Sequence, residues 1–142
     1  MPTFLVIPCG GAKGESPAAA RDLYTGQMFR HALRAAEFEA ADCGGTVLVL
    51  SALYGLIPLD AEIAPYDVRM GDAGSVSPVF VAAQAAALGI EWRADVFAFL
   101  PRAYFAVLDA ALRALDVYAA DVYEAAPGIG YQRGACSAVL AR

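Results

Sequence analysis

Apolar positions come as short continuous runs that alternate with longer segments of helical period. The first run, Thr3–Pro8, is rich in branched and aromatic residues and predicts a buried strand. A helix over residues 25–42 follows, with Phe29, Leu33, Ala36 and Ala40 on one face and Arg30, Arg34 and Glu37 on another. Cys43-Gly44-Gly45 supplies its stop. Residues 46–50, all apolar after Thr46, predict a second buried strand of the kind a parallel sheet covered on both faces requires. Ser77-Pro78 is an N-cap and first-turn pair for an Ala-rich helix that ends at Gly89. Residues 95–100 predict a third strand, and Pro101 opens a helix with an apolar stripe of Phe105, Leu108, Leu112 and Leu115 and an outer Asp109–Arg113 pair. Residues 117–120 predict a fourth strand and residues 130–140 a last helix.

Strand and helix in this alternation predict one α/β domain over residues 1–142. Its expected form is a three-layer α/β/α sandwich around a mostly parallel sheet of about four strands. Residues 51–76 do not fit the alternation and read as a long loop, a feature usually functional in so small a domain.

Composition changes this picture in three ways. A net charge of -5 and a pI near 4.7 argue against tracking long duplex, leaving a small or single-stranded anionic ligand as the nucleic-acid option. Cys9, Cys43 and Cys136 are three in number, widely spaced and without a C-x-x-C pair, and His31 is the sole histidine. No disulfide framework, metal site or cofactor is therefore expected, and a cytoplasmic setting fits. The longest uncharged window, residues 73–90, is 18 residues long but one-third Ala, with Ser, Pro, Gln and Gly, so no membrane association is expected. A rarity stands beside these: the chain has 32 Ala, no Asn and a single lysine, Lys13, among its ten basic residues.

Ligands of an open parallel sheet bind beyond the carboxyl ends of its strands. After the first strand come Cys9, Gly10, Gly11 and Lys13, an anion cradle of turning N–H groups and one cation, without the spacing of a Walker loop. After the second come Ser51, Tyr54 and Gly55, then Asp60, Glu62, Tyr66 and Asp67. The tyrosines suit stacking on a base, and Asp60 and Asp67 suit water orientation. After the third come Arg102 and Tyr104, and near the end Gly128-Ile129-Gly130-Tyr131-Gln132-Arg133, where Gly130 and Arg133 would hold an anion at a helix start. Cys9 is the candidate nucleophile, although a buried inert thiol is the commoner fate of such a residue.

The pattern Pro8-Cys9-Gly10-x-x-Lys13, Leu23-Tyr24-Thr25 with Phe29, Ser51-Ala52-Leu53-Tyr54-Gly55-Leu56-Ile57-Pro58-Leu59-Asp60 and Pro65-Tyr66-Asp67 resembles a family of short bacterial and phage domains of unknown function. Those resemble in turn the peroxide-stress YaaA-like proteins, through a Ser-x-Leu-Tyr-Gly run followed by Pro-Leu-Asp and Pro-Tyr. More distantly, the opening is similar to that of the uracil-DNA-glycosylase-like domain of archaeosine-type tRNA-modifying enzymes. The likeness covers roughly residues 5 to 70 and lacks the glycosylase Gly-Gln-Asp-Pro-Tyr loop, the His-containing motif and a helix-hairpin-helix. It implies a glycosylase-like fold and a role with nucleic acid or its bases.

Two functions are expected to compete. One is an enzyme acting at the N-glycosidic bond of a nucleotide or nucleic-acid base. The other is a non-catalytic nucleotide-binding module of stress response or phage defence. A domain with no site at all would leave the segments 9–13 and 54–67 apart in space.

Overall fold

The computed structural model describes residues 2–124. The expected last helix, with Gly130, Arg133 and Cys136, lies outside the described residues.

Strand β1 (Thr3–Pro8) lies at the centre of a five-stranded sheet. It pairs in parallel with β3 (Thr46–Ser51) on one side and β6 (Asp95–Ala98) on the other, so that Phe4 faces Thr46 and Val96. Beyond β3 runs the antiparallel strand β4 (Gly55–Pro58), and beyond β6 the short parallel strand β7 (Ala120–Asp121). A separate antiparallel pair joins β2 (Ala18–Ala19) to β5 (Glu62–Ile63). The helices are α1 (Ala20–Leu23), α2 (Gln27–Cys43), α3 (Pro78–Ala87) and α4 (Arg102–Arg113).

Continuous apolar runs are needed because successive side chains of a strand enter opposite faces of the sheet. Leu5, Ile7, Val47 and Val49 join a core with Leu23 of α1 and Phe29 and Leu33 of α2. Phe4, Val6, Leu48 and Leu50 join a second core with Val81 of α3 and Leu108 and Leu112 of α4. Both helix ends read from the sequence are built as expected. Gly44 takes a left-handed φ of 69° at the end of α2, and the Ser77 hydroxyl accepts from Phe80 N at 3.3 Å at the start of α3.

Four expectations need correction. The segment 51–76 is not one long loop: it returns along β3 as β4 and then pairs with β2 as β5. The sheet consequently has five strands, one of them antiparallel, where about four were expected. The fourth predicted strand is displaced; Val117 is buried in the second core and pairing begins only at Ala120. In α4 the buried set is Leu108, Ala111 and Leu112; Phe105 is only half-buried, and Leu115, also half-buried, lies past the end of the helix at Arg113, so the stripe is shorter than expected. Among the described residues no helix is long and apolar enough to cross a membrane.

Candidate functional site

The site begins where β1 ends. Cys9 N donates to Leu50 O at 3.1 Å, carrying the parallel pairing one residue past the strand before Gly10 and Gly11 turn the chain. The segment after the turn is fastened to the stretch that follows α1. Gly14 N donates to Leu23 O at 2.9 Å, Thr25 N donates to Ala12 O at 3.0 Å, and Lys13 and Tyr24 form an isolated antiparallel bridge. Lys13 is thereby fixed in backbone position although it lies outside the main sheet.

Its ammonium sits 4.3 Å from the centroid of the Tyr66 ring and 5.9 Å from that of Tyr24, and donates to Gly11 O at 3.3 Å. Among the described residues no carboxylate lies within ion-pair distance of it. The rings beneath it are locked through their hydroxyls. Tyr66 Oη lies 2.6 Å from Tyr24 Oη and accepts from Ser51 Oγ at 2.7 Å. Ser51 is fully buried, and its Oγ in turn accepts from Leu53 N at 3.2 Å and Tyr54 N at 3.0 Å, the turn into β4. Tyr54 packs edge-on against Tyr66 with ring centroids 5.4 Å apart.

An open cavity of about 430 Å³ lies at this end of the sheet. The chain after β1 gives it Cys9, Gly10, Gly11 and Lys13, and the chain after β5 gives it Asp67, Val68, Arg69 and Met70. The first turn of α4 closes it with Tyr104, whose hydroxyl lies 3.2 Å from Cys9 Sγ. The segments 9–13 and 54–67 therefore meet, as a site requires and a siteless domain would not. Cys9 is buried and Asp67 exposed, so the cavity presents its carboxylate at the mouth and its thiol at the wall. Cys9 and the exposed Cys43 are free thiols.

The other candidates fall elsewhere. Asp60 pairs with Arg21 at 3.3 Å, and Arg21 also holds Glu37 at 3.0 Å. Gly55 is buried against Gln84, and Arg102 is exposed at the first residue of α4, outside the cavity lining. Gly130 and Arg133 lie outside the described residues. Three lining residues went unselected by the sequence reading. These are Val68, Arg69 and Met70, which follow Asp67 directly, so the strand-end rule reaches that segment without choosing within it; Tyr104, two residues past Arg102, is among the residues it names after the third strand.

The phenols are perturbed mainly by burial. It pushes Tyr24 up to about 12, partly offset by the hydrogen bond from Tyr66. Tyr66 and Tyr104 are also raised, burial first and the neighbouring Cys9 second. All three are neutral hydroxyls at physiological pH. Because an unfolded phenol ionises near about pH 10, the contribution of Tyr24 to stability is complete below that pH and drains away as pH rises toward its folded value. Urea melts are expected to lose about 1.4 kcal/mol per pH unit for each such phenol above about pH 10, and Tyr24→Phe to flatten the slope. An unchanged slope in that variant would remove Tyr24 from the account.

A family model for a family of unknown function, DUF6884, matches residues 4–133, which include every cavity residue named above. The chain belongs to that family. No curated protein and no solved structure matches it. The wider likeness to peroxide-stress and glycosylase-like proteins accordingly finds no support in these comparisons. Membership places the β1 turn, the Tyr66 segment and α4 within one family domain, but brings no reaction with it.

Proposed function

We propose that the cavity receives a nucleotide or nucleic-acid base and that its N-glycosidic bond is hydrolysed there. The observation that carries this reading is the Lys13 ammonium, free of carboxylate partners among the described residues, at a cavity that also presents Asp67. A phosphate would lie against Lys13 and the Gly10–Gly11 turn, with Arg69 as the second cation in place of Arg102. The upper face of Tyr66 is already covered by Lys13, so the base would rest on the wall made by Tyr104 and Met70. Asp67, rather than the ion-paired Asp60, would stabilise positive charge at the sugar carbon and orient water. The C1′–N bond breaks with its electron pair leaving on the base. Water oxygen bonds to C1′ and keeps one of its protons as the new hydroxyl, while the other proton goes to the departing base. The two cores on opposite faces of the sheet support a three-layer reading of the fold.

The exposure of Asp67 favours a second reading, a binding module without turnover, because a solvated carboxylate has little driving force as a base. One experiment separates the two. Incubation with a panel of nucleotides and of modified single-stranded DNA, followed by mass spectrometry, is expected to show free base. Asp67→Asn should lower release by about a hundredfold while leaving ligand-dependent thermal stabilisation intact. Stabilisation without any free base would leave the binding module. Neither stabilisation nor release would dismiss the site as a nucleotide site.

A further inference from the structure

The cation of this site is held in an unusual way. Its geometry has consequences that do not depend on which anion binds, although the inference rests on the reading of Lys13 as an anion contact. A lysine on a mobile loop normally wanders through many rotamers, and ordering it on binding costs side-chain entropy. Here the ammonium rests on the face of Tyr66, with Tyr24 behind it, and its backbone is clamped on both sides. Neither ring can swing away easily. The Tyr66 hydroxyl is engaged by both Ser51 and Tyr24, and Ser51 is itself anchored to the backbone of residues 53 and 54.

We infer that Tyr66, with Tyr24 beneath Lys13 and Ser51 as the anchor, is a positioning residue that preorganises the Lys13 ammonium for an anionic ligand. A ring face attracts a cation without neutralising it, since its charge is a quadrupole and not a countercharge. A carboxylate in the same place would hold Lys13 as firmly but would compete with the incoming anion. The aromatic cradle thus fixes the cation and leaves its charge available. The same argument explains why the buried Tyr24 phenol, the half-buried Tyr66 phenol and the buried Ser51 hydroxyl converge beside an open cavity, where purely structural packing would call for apolar side chains.

The sole lysine makes the test direct. Reductive ¹³C-methylation labels Lys13 and the chain's terminal amine, so the Lys13 methyl signal can be assigned by its loss in Lys13→Arg. In the unliganded wild type that signal, and the ε-protons beside it, are expected upfield of a solvated lysine through the ring current of Tyr66, with nuclear Overhauser contacts to that ring. Tyr66→Phe keeps the face and should keep the shift; Tyr66→Leu should abolish it. With orthophosphate and adenosine monophosphate as probes, the unmethylated Tyr66→Leu protein should bind roughly tenfold more weakly, and Tyr66→Phe within a few-fold of wild type. No upfield shift in the wild type overturns the inference, and that measurement stands even if Tyr66→Leu does not fold. A shift lost in Tyr66→Leu without weaker anion binding overturns it as well. If the wild type shows the shift but binds neither probe, both the anion reading of the site and the positioning role built on it fall, whereas an absent shift with intact binding rejects the cradle alone.

Discussion

Lys13→Ala is expected to abolish nucleotide-dependent stabilisation while leaving the free protein nearly as stable as before. The two halves of that expectation have separate physical grounds. Lys13 is half-buried and makes one long bond to Gly11 O and its contacts with the tyrosine faces, but no ion pair with any described residue. Losing such contacts costs about 0.5–1 kcal/mol, comparable to the scatter of surface substitutions. A charged hydrogen bond to a ligand phosphate contributes about 1.5–3 kcal/mol, so the ligand dissociation constant should rise by roughly ten- to a hundredfold. Urea melts of the free protein and thermal shifts with adenosine monophosphate check both. A variant that loses several kcal/mol without ligand would show that Lys13 is a structural residue. Unchanged ligand binding would remove the cation from the site. Lys13→Arg should recover part of the affinity, because a guanidinium can also lie flat on an aromatic ring.

The elements that were legible in the sequence are those whose ends carry local chemistry. Ser77-Pro78 and Gly44 define helix ends through bonds made within a turn or two, and β1 and β3 are apolar except for Thr3, Thr46 and Ser51 at their ends because both faces are covered. β4 escaped notice because its four residues, Gly55–Pro58, carry a Gly at one end and a Pro at the other, both read as loop signals. Its antiparallel edge position tolerates both. β5 and β7 are two residues each, below any periodicity that a sequence can display. For the site, the rarity of Lys13 and the strand-end rule picked out the segments that meet at the cavity. Which side chains within them line it was not legible. Asp60 and Asp67 are equivalent in sequence terms, and only the long-range pairing of β5 with β2 brings Asp60 to Arg21 and leaves Asp67 at the cavity. The hydroxyl network has the same character, since Tyr24, Ser51 and Tyr66 come from three separate segments.

Gly55→Ala is expected to be among the most destabilising single-methyl additions in the chain, at about 3–5 kcal/mol. Gly55 has a φ of +77°, a left-handed conformation that an alanine adopts at a cost of about 1–2 kcal/mol. A Cβ there would also overlap the Gln84 amide oxygen and lie 2.9 Å from Gln84 Cδ. Gln84 is not free to yield: its Oε1 accepts from Leu56 N at 2.8 Å and its Nε2 donates to Tyr54 O at 2.8 Å. This side chain from α3 serves β4 as a substitute for a further strand, satisfying one donor and one acceptor beside the turn. Displacing it leaves both half-buried backbone groups without their partner, each worth about 1–3 kcal/mol. Gln84→Ala should therefore cost about 2–4 kcal/mol by itself. The double variant distinguishes overlap from backbone strain. With Gln84 removed, the methyl at position 55 has room, and adding it should cost only the left-handed strain of about 1–2 kcal/mol. Urea midpoints for the two single variants and the pair give the coupling directly. Strict additivity would mean that the methyl never meets Gln84, and that the turn into β4, which anchors Ser51 and through it Tyr66, is held by φ alone.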